Sequence, residues 1–131
     1  MPKYLLLLLA LAAPAVSASV ACHYTYGGET KTLVAPPVDS PYPVETIAIG
    51  SFFRFRVVFQ AAPADRPSVK VYTYAAKDDS PVLIHQATYA YPPARPTGPY
   101  GFTGLQSVYE PLRESELQYW CELRPEGRAA R

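Results

Sequence analysis

Histidine and cysteine are the residues of this chain best able to bind a transition metal. His23 follows Cys22 directly, and His85 lies far along the chain, where it alternates with Leu83 and Ala87. A zinc or copper site needs several converging ligands, and a disulfide-bonded sulfur cannot serve as a thiolate ligand. The segment 78–80 (DDS) resembles the start of a calcium loop, but the glycine and final glutamate of that loop are missing. We therefore predict no metal site and no cofactor, and we interpret His85 as a hydrogen-bonded residue of a strand.

Patterns for covalent and acid–base catalysis are also missing. The chain contains no Gly-x-Ser-x-Gly elbow and no glycine-rich phosphate loop. Glu114 and Glu116 are a candidate carboxylate pair, but beside Arg113 they are typical of a solvated polar segment. We predict no catalytic residue. A small hydrolase or metal-binding protein, assembled from scattered residues such as His23 and His85, is kept as an alternative.

Aromatic rings and prolines are concentrated in residues 89–102 (YAYPPARPTGPYGF). Prolines limit the conformational entropy of such a loop, and tyrosines present flat apolar faces with polar tips. A surface of this kind suits a carbohydrate, an extended peptide or a partner protein. The candidate ligand-binding residues are Tyr89, Tyr91, Arg95, Tyr100 and Phe102. In the alternative interpretation the four aromatic residues only cover one end of the core.

The N-terminal residues have the layout of a secretory signal. Lys3 precedes a short apolar run, which small residues follow. Signal peptidase would cut after Ala18 or after Ala21, so residues 1–21 are the predicted signal peptide. The apolar run is shorter than the about 20 residues that a membrane span needs, and no later segment reaches that length. The predicted location is therefore secreted or periplasmic, without a membrane span.

The chain has two cysteines, Cys22 and Cys121, near the two ends of its exported part. An even number of cysteines in an exported protein indicates a disulfide, and closing so long a loop would stabilise the fold by up to about 4 to 5 kcal/mol on chain-entropy grounds. We predict a Cys22–Cys121 bridge. A lipid anchor on Cys22 is disfavoured, because Ser19 stands where a lipoprotein signal usually has an aliphatic residue and because Cys121 would lose its partner.

The exported part is electrically balanced. The chain has twelve basic and eleven acidic residues, and Lys3 leaves with the signal. We see no basic stripe for nucleic acid or anionic lipid. The remaining length of about one hundred residues suffices for one domain with its own core. The predicted partner is accordingly an unknown protein, peptide or carbohydrate, and not a nucleic acid.

The clearest strand covers residues 51–60 (SFFRFRVVFQ). Apolar side chains at every second position from Phe53 to Phe59 predict a strand with one buried face. Turn residues separate it from strands predicted over 68–74 and 82–91. Three consecutive strands with short connections predict an antiparallel meander.

Shorter strands are predicted over residues 22–26, 29–35, 44–49, 105–109 and 117–123. Gly27–Gly28, between the first two, is typical of a two-residue hairpin turn. Residues 36–43 read as an extended loop. Residues 112–117 have one helical turn as an alternative.

The arrangement Tyr119-x-Cys121 resembles the penultimate strand of immunoglobulin domains, where the tyrosine braces a corner and the cysteine bridges two sheets. The single tryptophan, Trp120, lies beside the second cysteine, whereas the immunoglobulin tryptophan follows the first. The resemblance implies a sandwich. We predict an all-β fold: a single antiparallel β-sandwich, immunoglobulin-like in outline, with seven or eight short strands over residues 22–123, one disulfide, and a flexible tail over 124–131.

These features predict an exported, non-enzymatic module that binds a ligand or assists another protein. The first alternative is a carbohydrate-binding or adhesin-like surface domain, and the second is the small hydrolase or metal-binding protein. A row of exposed aromatic residues would favour the carbohydrate. A concave cluster of His23, His85 and acidic residues would favour the enzyme.

Overall fold

Nine strands form the described part of this protein. The structure, a computed structural model, describes residues 18–61, 66–78 and 80–125. There, β-branched and aromatic residues alternate with polar ones, a pattern that favours strands. The strands are β1 (Ser19–Tyr26), β2 (Glu29–Ala35), β3 (Pro37–Val38), β4 (Ile47–Ile49), β5 (Phe53–Gln60), β6 (Ser68–Ala75), β7 (Val82–Ala90), β8 (Gln106–Glu110) and β9 (Ser115–Arg124).

The strands form two sheets that pack face to face. Sheet A has the order β2-β1-β9-β8, and sheet B has the order β3-β5-β6-β7, with β4 also paired to β5. All neighbouring strands are antiparallel except β3 and β5, which are parallel. The predicted all-β sandwich and the β5-β6-β7 meander are confirmed. The predicted loop over residues 36–43 was wrong in one respect, since it contains the short strand β3.

The Gly27–Gly28 turn joins β1 to β2. The φ angles of the two glycines are 60° and 77°, in the left-handed region that a side chain with a Cβ disfavours. This conformation matches the twist of the strands on either side of a two-residue turn. Tyr26 and Glu29 pair directly across it, as the sequence predicts.

The core lies between the sheets and is supplied by alternate residues of each strand. From β5 it receives four side chains that are at most 3% exposed: Phe53, Phe55, Val57 and Phe59. From β9 it receives Tyr119, whose ring centroid lies 5.3 Å from that of Phe55. Each large apolar side chain that is fully buried in this way stabilises the fold by about 2 kcal/mol. The alternation in the sequence therefore predicts correctly which face of β5 is turned toward the core.

The first strand begins before the predicted domain boundary. Val20 and Ala21 are fully buried, and Val20 pairs with Leu123 of β9. The predicted signal peptide over residues 1–21 therefore overlaps β1 at its end, while residues 1–17 lie outside the described residues.

The last strand likewise extends past the predicted boundary. Arg124 is the final residue of β9 and pairs with Ser19. Of the predicted tail over 124–131, residues 126–131 lie outside the described residues. Pairing of both termini in sheet A brings the two ends of the domain side by side.

A buried carboxylate shapes the connection from β8 to β9. Glu110 is fully buried, and its carboxylate accepts hydrogen bonds from the backbone N–H groups of Leu112 and Arg113, each at 3.0 Å. These bonds hold residues 111–114 as a tight turn, and β9 follows at Ser115. The alternative of a helical turn over residues 112–117 was therefore wrong.

Candidate functional site

Cys22 and Cys121 form the predicted disulfide, and the bridge lies within sheet A. The two residues are directly opposite each other in the neighbouring strands β1 and β9, and both are fully buried. The bridge of an immunoglobulin domain joins its two sheets, so this one departs from that outline. A buried disulfide of this kind is typical of proteins in an oxidising compartment outside the cytoplasm.

The register around the bridge places a row of side chains on the outer face of sheet A. His23 lies opposite Trp120 on β9 and opposite Thr32 on β2. Successive residues of a strand point to opposite faces of the sheet. Because the cysteines point into the core, their neighbours His23 and Trp120 point away from it.

The imidazole of His23 is held from both sides. Its Nε2 atom lies 2.7 Å from Oε2 of Glu122, and its Nδ1 atom lies 2.8 Å from Oγ1 of Thr32. A carboxylate only accepts hydrogen bonds, so Nε2–H donates to Glu122. In the neutral imidazole Nδ1 then accepts from the hydroxyl of Thr32. Carboxylate, imidazole and hydroxyl thus form one hydrogen-bonded chain across three strands.

Aromatic rings continue this row across β9. The rings of His23 and Trp120 have centroids 4.3 Å apart at 31°, and Tyr100 meets Trp120 edge to face at 6.1 Å. Trp120 is half-buried, and Tyr100 is 42% exposed. The three rings and the two residues that hydrogen-bond His23 form what we call the Trp120 face: Tyr100, Trp120, His23, Thr32 and Glu122.

Backbone contacts hold Tyr100 beside Trp120. The N–H of Phe102 donates to the carbonyl of Cys121 at 3.0 Å, and the N–H of Cys121 donates to Oγ1 of Thr103 at 2.9 Å. Gly101 lies at this contact with φ of 58°, and a Cβ on it would collide with the carbonyl oxygen of Cys121. Only glycine combines this φ with so close an approach. The end of the loop is therefore fixed along β9.

The other predicted aromatic residues of the loop face the core. Tyr89, Tyr91 and Phe102 are half-buried and pack against the core cluster. The ring of Tyr91 lies 4.8 Å from that of Phe59, and Tyr89 meets Phe102 edge to face at 5.4 Å. The structure therefore separates these three residues from Tyr100, which lies on the Trp120 face.

The last predicted loop residue, Arg95, is exposed. It lines a surface depression of about 240 Å³ formed by residues 94–104, together with Tyr100 and Phe102. Tyr100 belongs both to this depression and to the Trp120 face. Arg95 and Tyr100 are thus the predicted ligand-binding residues that remain accessible, since the other three are half-buried against the core.

His85 lies apart from His23 and forms a hydrogen bond between the two sheets. Its Nε2 atom lies 2.7 Å from the hydroxyl oxygen of Tyr119 on the opposite sheet, which confirms the interpretation of a hydrogen-bonded strand histidine. Burial lowers the pKa of His85. Burial, and to a lesser degree Tyr89, raises the pKa of Tyr119. Both shifts favour a neutral imidazole bonded to an un-ionised phenol inside the protein.

The two histidines lie on opposite sides of sheet A, so the cluster that would favour an enzyme does not form around both. His23 is on the outer face of sheet A, and His85 points between the sheets. Within residues 18–61, 66–78 and 80–125, no three His, Cys, Asp or Glu side chains meet as metal ligands would. None of the described elements is an apolar helix of membrane-crossing length.

The sequence interpretation missed Trp120, Thr32 and Glu122 as site residues. A signal was present, since a direct Cys22–Cys121 pairing in antiparallel strands places residue 23 opposite residue 120. Period-2 alternation then turns both side chains outward. Comparisons with protein families, with curated proteins and with solved structures gave no significant match to this chain.

Proposed function

We propose that this protein is an exported, non-enzymatic module that binds a carbohydrate on the Trp120 face. The observation that carries the proposal is the row of rings formed by Tyr100, Trp120 and His23, with polar groups at its margin. Aromatic rings stack on the apolar C–H faces of sugar rings. A few fixed polar groups beside them give orientation and specificity.

Hydrogen-bonding capacity on the Trp120 face supports a hydroxyl-rich ligand. Glu122 uses Oε2 for His23, and none of the described residues hydrogen-bonds its Oε1. The side chain of Glu122 is 39% exposed and that of His23 is 18% exposed. Because Thr32 and Glu122 already hold the imidazole, the face loses little conformational freedom when a ligand binds.

Export is part of the proposal and has two supports. The disulfide is typical of an oxidising compartment, and the N-terminal residues have the layout of a cleaved signal. Both features support a location in the periplasm or outside the cell. A lipid on Cys22 would remove the thiol that the bridge needs.

We expect signal peptidase to cut after Ala18, which leaves Ser19 as the first residue. A cut after Ala21 would remove Val20 and Ala21, which are fully buried, and would shorten β1 by three residues. Intact-mass measurement of protein exported with its own leader distinguishes the two sites. A mature chain that begins at Cys22, or an uncleaved chain, would contradict this prediction.

The binding prediction uses Trp120 as its own reporter, because it is the only tryptophan of the chain. We expect an array of neutral and N-acetylated oligosaccharides to contain ligands, and titration with the strongest of them should change the fluorescence of Trp120. Replacing Trp120 with alanine should weaken binding on the array and in calorimetry by at least about tenfold, as for an aromatic residue at the centre of a binding site.

Tyr42→Ala is the matched control. Tyr42 is 91% exposed and is not part of the Trp120 face, so its loss should leave both affinity and stability unchanged. Equal binding by wild-type protein and Trp120→Ala would rule out the Trp120 face as the ligand site. The absence of any oligosaccharide binder on the array would end the carbohydrate proposal.

A hydrolase is the second candidate, and the chain of Glu122, His23 and Thr32 is the observation that favours it. The order of carboxylate, imidazole and hydroxyl is that of a nucleophilic triad. We rank it second because threonine is an uncommon nucleophile and a cross-strand hydroxyl often bonds a histidine. Time-dependent hydrolysis of an ester such as p-nitrophenyl acetate, abolished by Thr32→Ala, would favour the hydrolase over the binding module, because a triad of this kind cleaves acyl bonds.

A further inference from the structure

β7 and β8 are edge strands on the same side of the sandwich. β7 is the last strand of sheet B and β8 is the last strand of sheet A, and the two are in contact. Among the described strands, none pairs with the outer edge of either one. A free strand edge presents N–H and C=O groups that another chain can pair with, so natural proteins usually protect it.

The opposite side of the sandwich carries such protection. β2 has Glu29 and Lys31 at its beginning, with 3.9 Å between Nζ of Lys31 and Oε2 of Glu29. β3 has two residues and β4 has three, and β3 begins with Pro37, which has no N–H to offer. Charges, prolines and short strands are the usual devices against edge-to-edge pairing. This side is therefore poorly suited to pair with a second chain.

The β7 and β8 side lacks these devices. β7 has nine residues and contains neither a charged residue nor a proline. The only charged residue of β8 is Glu110, which is fully buried because it binds the turn that follows. β7 has a register shift near its beginning, but its remaining residues, 85–90, pair regularly with β6.

Exposed apolar residues are frequent on and next to these two strands. Of the eight large hydrophobic residues that are exposed in the described chain, five lie on or next to these two strands: Val82, Leu83, Leu105, Tyr109 and Leu112. Scattered exposed apolar residues are ordinary, but a group beside two free edges marks an interaction surface. We call this surface the β7/β8 edge.

We propose that the β7/β8 edge binds a second copy of this chain, through antiparallel pairing of β7 with β7. Full overlap of the nine-residue strand places Gln86 of one copy opposite Gln86 of the other. Two identical strands without charge meet with no like-charge repulsion. Because β8 lies on the same side and contacts β7, one two-fold axis brings both free edges of one copy close to those of the other. The proposal is independent of the Trp120 face.

The first test is the oligomeric state measured by sedimentation equilibrium. We expect the oxidised, mature protein to be a dimer, and Gln86→Lys to weaken the dimer at least about tenfold, because it places two lysines directly opposite each other across the proposed axis, while Gln86 faces the uncharged Tyr72 within its own copy. Thr30→Lys on β2 places the same charge on the protected edge opposite Thr25, and it should leave the dimer intact. A monomer at every concentration, or a dimer equally affected by the two variants, would overturn the proposal.

The second test is a disulfide across the two-fold axis. Gln86→Cys places two thiols opposite each other, so mild oxidation should give a covalent dimer. Thr88→Cys is the matched control, since full overlap puts its two thiols about 14 Å apart along the strand. A covalent dimer with Gln86→Cys alone supports the register. Equal cross-linking of both variants, or of neither, would overturn it.

Discussion

Replacing both Cys22 and Cys121 with alanine is expected to lower the free energy of unfolding by about 4 to 5 kcal/mol. The bridge closes a loop of 99 residues, and the chain-entropy argument assigns roughly this value to a loop of such length. The seven residue pairs of the β1–β9 ladder already hold the two strands together in the folded state. The bridge therefore stabilises the protein mainly by lowering the conformational entropy of the unfolded chain. Removing the bridge raises that entropy and so favours unfolding.

Urea denaturation at neutral pH measures this loss. Reduction of the wild-type protein should reproduce it, and the same reductant should leave the double variant unchanged because that variant has no thiol. Both cysteines are replaced together so that no free thiol remains. A loss smaller than about 1 kcal/mol would show that the unfolded chain keeps its ends close without the bridge.

The second large effect separates two tyrosines of the same loop. Tyr91→Ala should lower the free energy of unfolding by about 3 kcal/mol, because its ring packs on Phe59, which is 2% exposed. Tyr100→Ala should lower it by less than about 1 kcal/mol, because Tyr100 is 42% exposed and contacts Trp120 at the surface. Thermal and urea denaturation of the two variants gives the comparison.

We expect the two alanine variants to rank in the opposite order when ligand affinity is measured instead of stability. Tyr100→Ala removes one ring of the Trp120 face and should weaken oligosaccharide binding, whereas Tyr91→Ala should leave the affinity of the folded protein unchanged. Tyr91→Phe is the control for the cavity, since it keeps the ring against Phe59. Large and equal losses of stability in both alanine variants would mean that Tyr100 also covers the core, and Tyr100 would then not be a ligand contact.

Local patterns were sufficient for most of the strands and for the bridge, but not for the two-residue strand β3. The alternation in β5 identifies its buried face, because residues of a strand point to opposite sides in turn. Gly27–Gly28 identifies a hairpin, because glycine tolerates positive φ. A chain with only two cysteines leaves each of them a single possible partner. The buried face of β5 and the hairpin can each be predicted from residues that are close in sequence. The disulfide can be predicted because only one pairing of two cysteines exists.

Position along the chain does not distinguish the two environments found within the aromatic loop. Tyr91 and Tyr100 occupy one proline-rich segment and have the same chemistry, yet Tyr91 packs on the core and Tyr100 lies on the outer face of sheet A. The contact of residues 101–103 with β9 decides the difference. That contact joins segments nearly twenty residues apart in sequence, and no periodic pattern records it.

Sequence patterns alone were thus enough to identify the inward face of β5 and the pairing of Cys22 with Cys121. The packing of the folded chain was needed to place the bridge within one sheet, and hence to bring His23 to Trp120, Thr32 and Glu122. Side-chain direction follows from the geometry of a single strand, whereas the choice of neighbouring strands depends on how the whole core packs. The candidate site is built from β1, β2 and β9, so it exists only after that choice.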